Sequence, residues 1–348
     1  MKARIALVVL SCVLSLATGW VLSRGGAAAG KGPNRKVLIG VSMDTLKEER
    51  WQSDRDHLVA KAKELGADIL VQAANSDDTR QIADVQALIS NDVDVLIVVP
   101  HNGAAMAKAV DMAHEAGIPV ISYDRLITGS DPEIYISFDA VKVGEEQARY
   151  LVSLLKPGHP MRLVRICGAK TDNNAVLMRQ GQDNILKPHV EKGAIRIVHD
   201  DWAENWKPEN AKKIMNAAIT KLGAGGVDAV LAANDGTAGG AIQALMEEGL
   251  AGKVIVTGQD AELSACQRVV RGTQSMTIYK SISSLAGRAA ETAVKMAKGR
   301  PVIALETVDN GKIQVPAMLI DVVTVTKENM DATVIKEGFH TREAVYGR

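Results

Sequence analysis

Two stretches of this chain follow one plan: VDVLIVVPHNGAAMAKAVDMAHEAGIPVISYD, from Val93, and VDAVLAANDGTAGGAIQALMEEGLAGKVIVTGQD, from Val227. Each reads as a strand, a polar or glycine turn, a helix of small residues with Glu and Gly near its end, a second strand, and a polar pair that includes an Asp. A repeat this long implies duplicated lobes and not a solenoid of short units. The alternation extends around both copies, with KVLIGVSM and ADILVQAA before the first and MRLVRICG and AIRIVHDD before the second. Strands alternating with helices imply βαβ units and a parallel sheet. The predicted fold class is α/β: two similar lobes, each a parallel sheet flanked by helices.

After Asp260, GTQSMTIYKSISSLAGRAAETAVKMAKG and VPAMLIDVVTVTKENM read as a strand, a helix and a strand that complete neither lobe alone. The backbone is therefore expected to cross between lobes near residues 141, 280 and 311, a three-stranded hinge that permits closure but limits shear. This gives a first lobe of 36–141 plus 280–311 and a second of 142–279 plus 312–340. A tail packed on the second lobe alone is the alternative.

The N-terminal MKARIALVVLSCVLSLATGWVLSRGGAAAGK runs from basic Lys2 and Arg4 through an apolar stretch to small residues ending at Ala29. That order is a secretory signal peptide, residues 1–29, and places the protein outside the cytoplasm; left uncleaved, it would serve as a membrane anchor. Beyond it only Cys167 and Cys266 remain, too few for a disulfide framework, although export permits one bridge. The seven His residues form no HxxxH and no cluster with Cys, so neither metal nor cofactor is expected. A formal net charge of zero excludes a phosphate lattice as the main partner, and no nucleic acid is expected.

Ligands of open parallel sheets lie beyond the carboxyl ends of the strands, and two facing lobes would share one such cleft. Polar pairs recur at those ends: Asp124 with Arg125, Asn173 with Asn174, Asn234 with Asp235, and Gln259 with Asp260. They are directed hydrogen-bond donors and acceptors, and a carboxylate can accept from two neighbouring hydroxyls, so the set suits a polyol. A helix N-cap explains Asn234 and Asp235, ahead of Thr237, equally well. Trp51, Trp202 and Trp206 could each lay an aromatic face on the C–H side of a pyranose, or simply pack in the core. Arg50 opens the same helix as Trp51 and can donate to sugar oxygens; Lys280, at a proposed crossing, is a ligand donor or a solvated charge.

No GxGxxG after the first strand, no GxxxxGK[ST] and no GxSxG occurs, and no spaced nucleophile and base stands out. A binding protein is expected, not an enzyme. Paired carboxylates such as Asp124 and Asp260 leave a glycosidase as a remote alternative. A two-lobed transcription repressor would need an N-terminal helix-turn-helix where this chain carries its leader.

The runs ERWQSDRD, YDRLI, YISFDAVKVGE, DNNA, LKPHV, WKPENA, NDGTAGGAIQAL, GQDAEL and GTQSMTIYK, in that order, are specific enough to name a family. From about Lys36 to Phe339 the chain resembles the sugar-binding proteins of ABC importers, the type I periplasmic binding proteins, and within them the D-xylose binders. The resemblance implies that Arg50, Asp124, Arg125, Asn174, Trp206, Asn234, Asp260 and Lys280 contact the sugar, with Trp206 stacking on the ring. It favours Trp206 over Trp202 and Asn174 over Asn173. It implies capture of an aldopentose by lobe closure and delivery to an ABC transporter permease, the protein acting as a monomer in the periplasm. A chemosensory binder serving a chemoreceptor, for ribose, arabinose or glucose, fits the same residues. His101 and the Arg165 to Lys170 stretch depart from the family pattern, which leaves the exact sugar open.

Overall fold

The computed structural model describes residues 35–347, so the expected leader lies outside the described residues. The first half runs β1 (Leu38–Met43), α1 (Glu49–Glu64), β2 (Asp68–Ala73), α2 (Asp78–Ser90), β3 (Val95–Val98), α3 (Ala107–Glu115), β4 (Val120–Tyr123) and β5 (Ile134–Phe138). The second runs α4 (Ala140–Ser153), β6 (Met161–Cys167), α5 (Asn173–Glu191), β7 (Ile195–Trp202), α6 (Pro208–Leu222), β8 (Ala229–Ala232), α7 (Asp235–Glu247), β9 (Ile255–Val256), α8 (Leu263–Arg271) and β10 (Thr277–Lys280). Then come α9 (Ile282–Ala297), β11 (Glu306–Asp309), β12 (Gln314–Ile320), β13 (Val322–Val325) and α10 (Arg342–Tyr346).

The duplication is visible in strand order. The first sheet is β2-β1-β3-β4-β5-β12-β11, the second is β7-β6-β8-β9, and β10 and β13 form a separate antiparallel pair. Ser275 N–H, just before β10, donates to the Val256 carbonyl and sets that pair beside β9. Central strands are apolar throughout: VLIV of β3 and AVLA of β8 are buried at every position, as parallel strands covered by helices on both faces must be. Side-chain caps start several helices at the strand ends, with Asp139 on α4, Asp172 on α5 and Asn234 on α7.

One expected boundary moves. VPAMLIDVVTV reads as a single strand, but it is two strands in different sheets. β12 pairs in parallel with β5 of the first lobe, whereas β13 pairs antiparallel with β10. The crossing expected near 311 is thus at Asp321, and residues 312–320 belong to the first sheet. Alternation of apolar residues continues across Asp321, so periodicity could not reveal a change of sheet.

Helices α4 and α5 together carry one wall of the cleft, and they meet through glycine. A Cβ on Gly144 would stand 1.9 Å from the Met178 carbonyl oxygen, and one on Gly181 equally 1.9 Å from that of Val141. Backbone cannot yield as a side-chain tip does. Gly144→Ala is expected to push the helices apart and destabilise the protein by about 3 kcal/mol, measured by urea denaturation; an unchanged midpoint would show that the helices can separate freely.

Candidate functional site

The carboxyl ends of both sheets converge on one cleft, and Asp124 and Asp260 hold equivalent places in it. Asp124 follows β4 with φ 59° and Asp260 follows β9 with φ 100°. Each donates its N–H to the strand beyond, Asp124 to Ile136 O and Asp260 to Ile278 O, both at 2.8 Å. Left-handed backbone at a non-glycine residue is strained and persists where the surroundings fix it; here it turns both carboxylates inward. Tyr135 Oη and Ser137 Oγ donate to the Asp124 carbonyl at 2.8 and 2.5 Å.

Charged groups knit the two lobes together. Arg50 Nη2 lies 2.8 Å from Asp124 Oδ2, and its Nη1 lies 3.6 Å from Asp260 Oδ1. Lys280 Nζ stands 2.8 Å from the same Asp260 oxygen. Arg125 likewise reaches across, from Asp44 at 2.7 Å in the first lobe to Asp172 at 2.9 Å in the second. Burial alone would raise the Asp124 pKa, but Arg50, Lys280 and Arg125 outweigh it and hold the carboxyl below its ordinary range. Asn174 Nδ2 donates to the Asp124 carbonyl at 2.9 Å, a neutral bridge between lobes.

Ten of the residues singled out in the sequence line this cleft: Arg50, Trp51, Asp124, Arg125, Asn174, Trp206, Asn234, Gln259, Asp260 and Lys280. Trp206 stands in the cleft through a left-handed pair, Asn205 and Trp206, with φ 53° and 57°, and Nε1 donates to Asp172 at 3.1 Å. A Cβ on Gly168 would fall 2.2 Å from this indole, so only glycine leaves room for it. Trp51 lies under two guanidiniums, those of Arg50 and Arg125 at 4.0 and 5.2 Å from the ring centroid. Asn234 both lines the cleft and caps α7: Oδ1 accepts from Thr237 N–H at 2.9 Å, and the amide Nδ2 is what it can offer a ligand.

Three residues that the sequence offered as possible contacts lie elsewhere. Trp202 packs under Lys170 and Arg179, because the ladder of β7 ends with it while the chain turns inward only at Trp206. Asn173 opens α5 beside Asn174 but does not line the cleft; neighbouring helix positions diverge by about 100°. Asp235 is fully buried behind the site. It accepts from Gln274 Nε2 at 2.7 Å, Thr277 Oγ1 at 2.9 Å and Glu262 N–H at 3.0 Å, and so braces the turn that carries Gln259 and Asp260.

Sequence reasoning missed Asp172, Glu48, Phe138 and Met178, which also line the cleft. Asp172 had a legible signal, an N-cap Asp before NNA, but its bonds to Arg125 and Trp206 depend on tertiary contact. Cys167 and Cys266 are free, buried thiols.

Burial, with Asp260 close by, pushes the Asp235 carboxyl up to about 7, and burial with Asp235 and then Asp260 pushes Glu262 up to about 8. An acid whose pKa is raised by folding stabilises the protein below its unfolded value, about 4, and loses that contribution as pH rises through the folded value. Stability is therefore expected to fall between pH 5 and pH 8, and Asp235→Asn to flatten that slope in urea titrations. An equal slope in the variant would place the titration elsewhere.

Comparison with known proteins agrees with this architecture. The profile of a periplasmic binding protein domain matches residues 39–301. The chain is 46% identical over 313 residues to a D-xylose-binding periplasmic protein of Haemophilus influenzae, covering 90% of this chain and 93% of that one. It is 45% identical over 328 residues to the D-xylose-binding periplasmic protein of Escherichia coli K12, covering 94% and 97%. Among solved structures, a carbohydrate transporter solute binding protein from Chloroflexus aurantiacus in complex with D-glucose superposes with a TM-score of 0.85 at 32% identity, covering 89% of this chain and 98% of that one. With its duplicated sheets, its shared cleft and a match over most of its length, this chain belongs to the periplasmic binding proteins, with the type I fold.

Proposed function

We propose that this protein captures an aldopentose, D-xylose, outside the cytoplasm and delivers it to an ABC transporter permease. One observation carries the reading: two carboxylates at matching strand ends, Asp124 and Asp260, face one cleft from opposite lobes with Arg50 between them. A sugar bound there satisfies both lobes at once, so binding and closure are one event, and closure is the signal a permease can read. The residues named by the family resemblance, Arg50, Asp124, Arg125, Asn174, Trp206, Asn234, Asp260 and Lys280, supply both donors and acceptors for ring hydroxyls. The two D-xylose-binding relatives at 46% and 45% identity favour this pentose. Their periplasmic location supports the same compartment here, in keeping with the basic and apolar leader. A single chain holds the whole cleft, so a monomer suffices.

Of the matched carboxylates, Asp124 is held low against the effect of burial, chiefly by Arg50, which suits an acceptor for sugar hydroxyls and not a general acid. Isothermal titration with D-xylose, D-ribose, L-arabinose and D-glucose tests the proposal. Micromolar or tighter binding, about −8 kcal/mol, is expected for D-xylose. Tighter binding of D-glucose, the sugar held by the Chloroflexus relative, would replace the pentose with a hexose, and no heat with any of the four would remove the assignment.

A further inference from the structure

Arg50 reaches carboxylates of both lobes with its fork fixed from behind. Asp54, one helical turn further along α1, is fully buried and does not line the cleft. Its Oδ2 accepts from Arg50 Nε at 3.2 Å and from Nη2 at 3.1 Å. Its other oxygen, Oδ1, accepts from the hydroxyl of Tyr123, the buried last residue of β4 and the neighbour of Asp124. A guanidinium has five N–H groups in a rigid plane. Asp54 engages the Nε edge, Asp124 takes Nη2 at 2.8 Å, and Nη1 is left directed at the second lobe and the cleft.

An inward-facing position on an amphipathic helix is ordinarily apolar, and a fully buried carboxylate is unfavourable unless its partners compensate. Burial tends to raise the Asp54 pKa, and Arg50 opposes this. The partners are Arg50 and Tyr123, which tie the start of α1 to the end of β4. We propose that Asp54, anchored by Tyr123, is a positioning residue that sets the orientation in which Arg50 meets the sugar. The inference rests on the sugar-binding function proposed above. It assigns a role to two residues outside the cleft: neither touches ligand, and both act through Arg50.

The test is a double-mutant cycle on sugar affinity, read by isothermal titration with whichever of the four aldoses the wild-type protein binds most tightly. Arg50→Lys, which keeps the charge but loses the fork, is expected to weaken binding roughly a hundredfold. Asp54→Asn is expected to weaken it about tenfold, Tyr123→Phe by less in the same direction, and Asp54→Glu to recover part of the loss. Because Asp54 acts through Arg50, adding Asp54→Asn to Arg50→Lys should weaken binding little further. Tyr123→Phe removes one hydroxyl and keeps the ring, so it decides the matter should Asp54→Asn fail to fold. Folded variants that bind within twofold of wild type, or losses that multiply fully in the double variant, would overturn the positioning role while sugar binding stands. A wild-type protein that binds none of the four aldoses would overturn the functional reading and this inference with it.

Discussion

Replacing Asp260 with alanine is expected to weaken sugar binding about a thousandfold. The carboxylate is 5% exposed and stands 2.8 Å from Lys280 Nζ and 3.6 Å from Arg50 Nη1. It therefore has two functions that alanine removes together. As an acceptor for sugar hydroxyls it contributes charge-assisted hydrogen bonds of about 1.5–3 kcal/mol each. As the second-lobe partner of Arg50 and the 2.8 Å partner of Lys280 it ties both cations to its lobe, and without it Lys280 loses its paired carboxylate and Arg50 its counter-charge across the cleft. A combined loss of about 4 kcal/mol is nearly three decades in Kd. Titration calorimetry reads this directly, and a Kd within threefold of wild type would place the ligand away from the second lobe's strand ends. Asp260→Asn should lose less, since it retains one acceptor oxygen on the same backbone turn.

Arg50→Met is expected to show its largest effect on stability. Its guanidinium faces Asp54 at 3.1 Å, Asp124 at 2.8 Å and Asp260 at 3.6 Å, all buried. Methionine fills much of the volume but removes the only cation paired with Asp54 among the described residues and the nearest one to Asp124, leaving Lys280 and Arg125 to offset the repulsion in part. Removing one partner of a buried ion pair destabilises by about 3–5 kcal/mol, and here one cation serves several anions. The pH dependence follows from the same geometry. In the wild type Asp124 is held low by Arg50, Lys280 and Arg125 against the effect of burial, so its contribution is present above the unfolded value and fades as pH falls. In the variant, burial dominates and the carboxyls take up protons more readily when folded, which relieves the repulsion in acid. The gap between wild type and variant should thus be widest near pH 8 and narrow toward pH 5 in urea denaturation. A gap of constant width would mean that lost packing, not charge, is responsible.

The α/β class, the duplication and the strand ends as the place of the cleft were determined by the sequence, because periodicity and turn chemistry are local properties. The equivalence of Asp124 and Asp260 was legible for the same reason: the repeat aligned them, and the structure gives both a left-handed backbone and an N–H bond to the next strand. The residue types at the strand ends suit a polyol whatever their exact placement. Residue type alone left open which neighbour turns inward, since it cannot distinguish side chains that diverge by a fraction of a helical turn or across a strand end. The family resemblance favoured Asn174 and Trp206, and in the tertiary structure these two line the cleft while Asn173 and Trp202 do not; that Asp235 goes behind it only the packing decided. The sheet change at Asp321 and the link from Tyr123 through Asp54 to Arg50 were hidden for a related reason. Both join segments far apart in sequence, β5 with β12 and β4 with α1, and contacts of that kind exist only once the chain has packed.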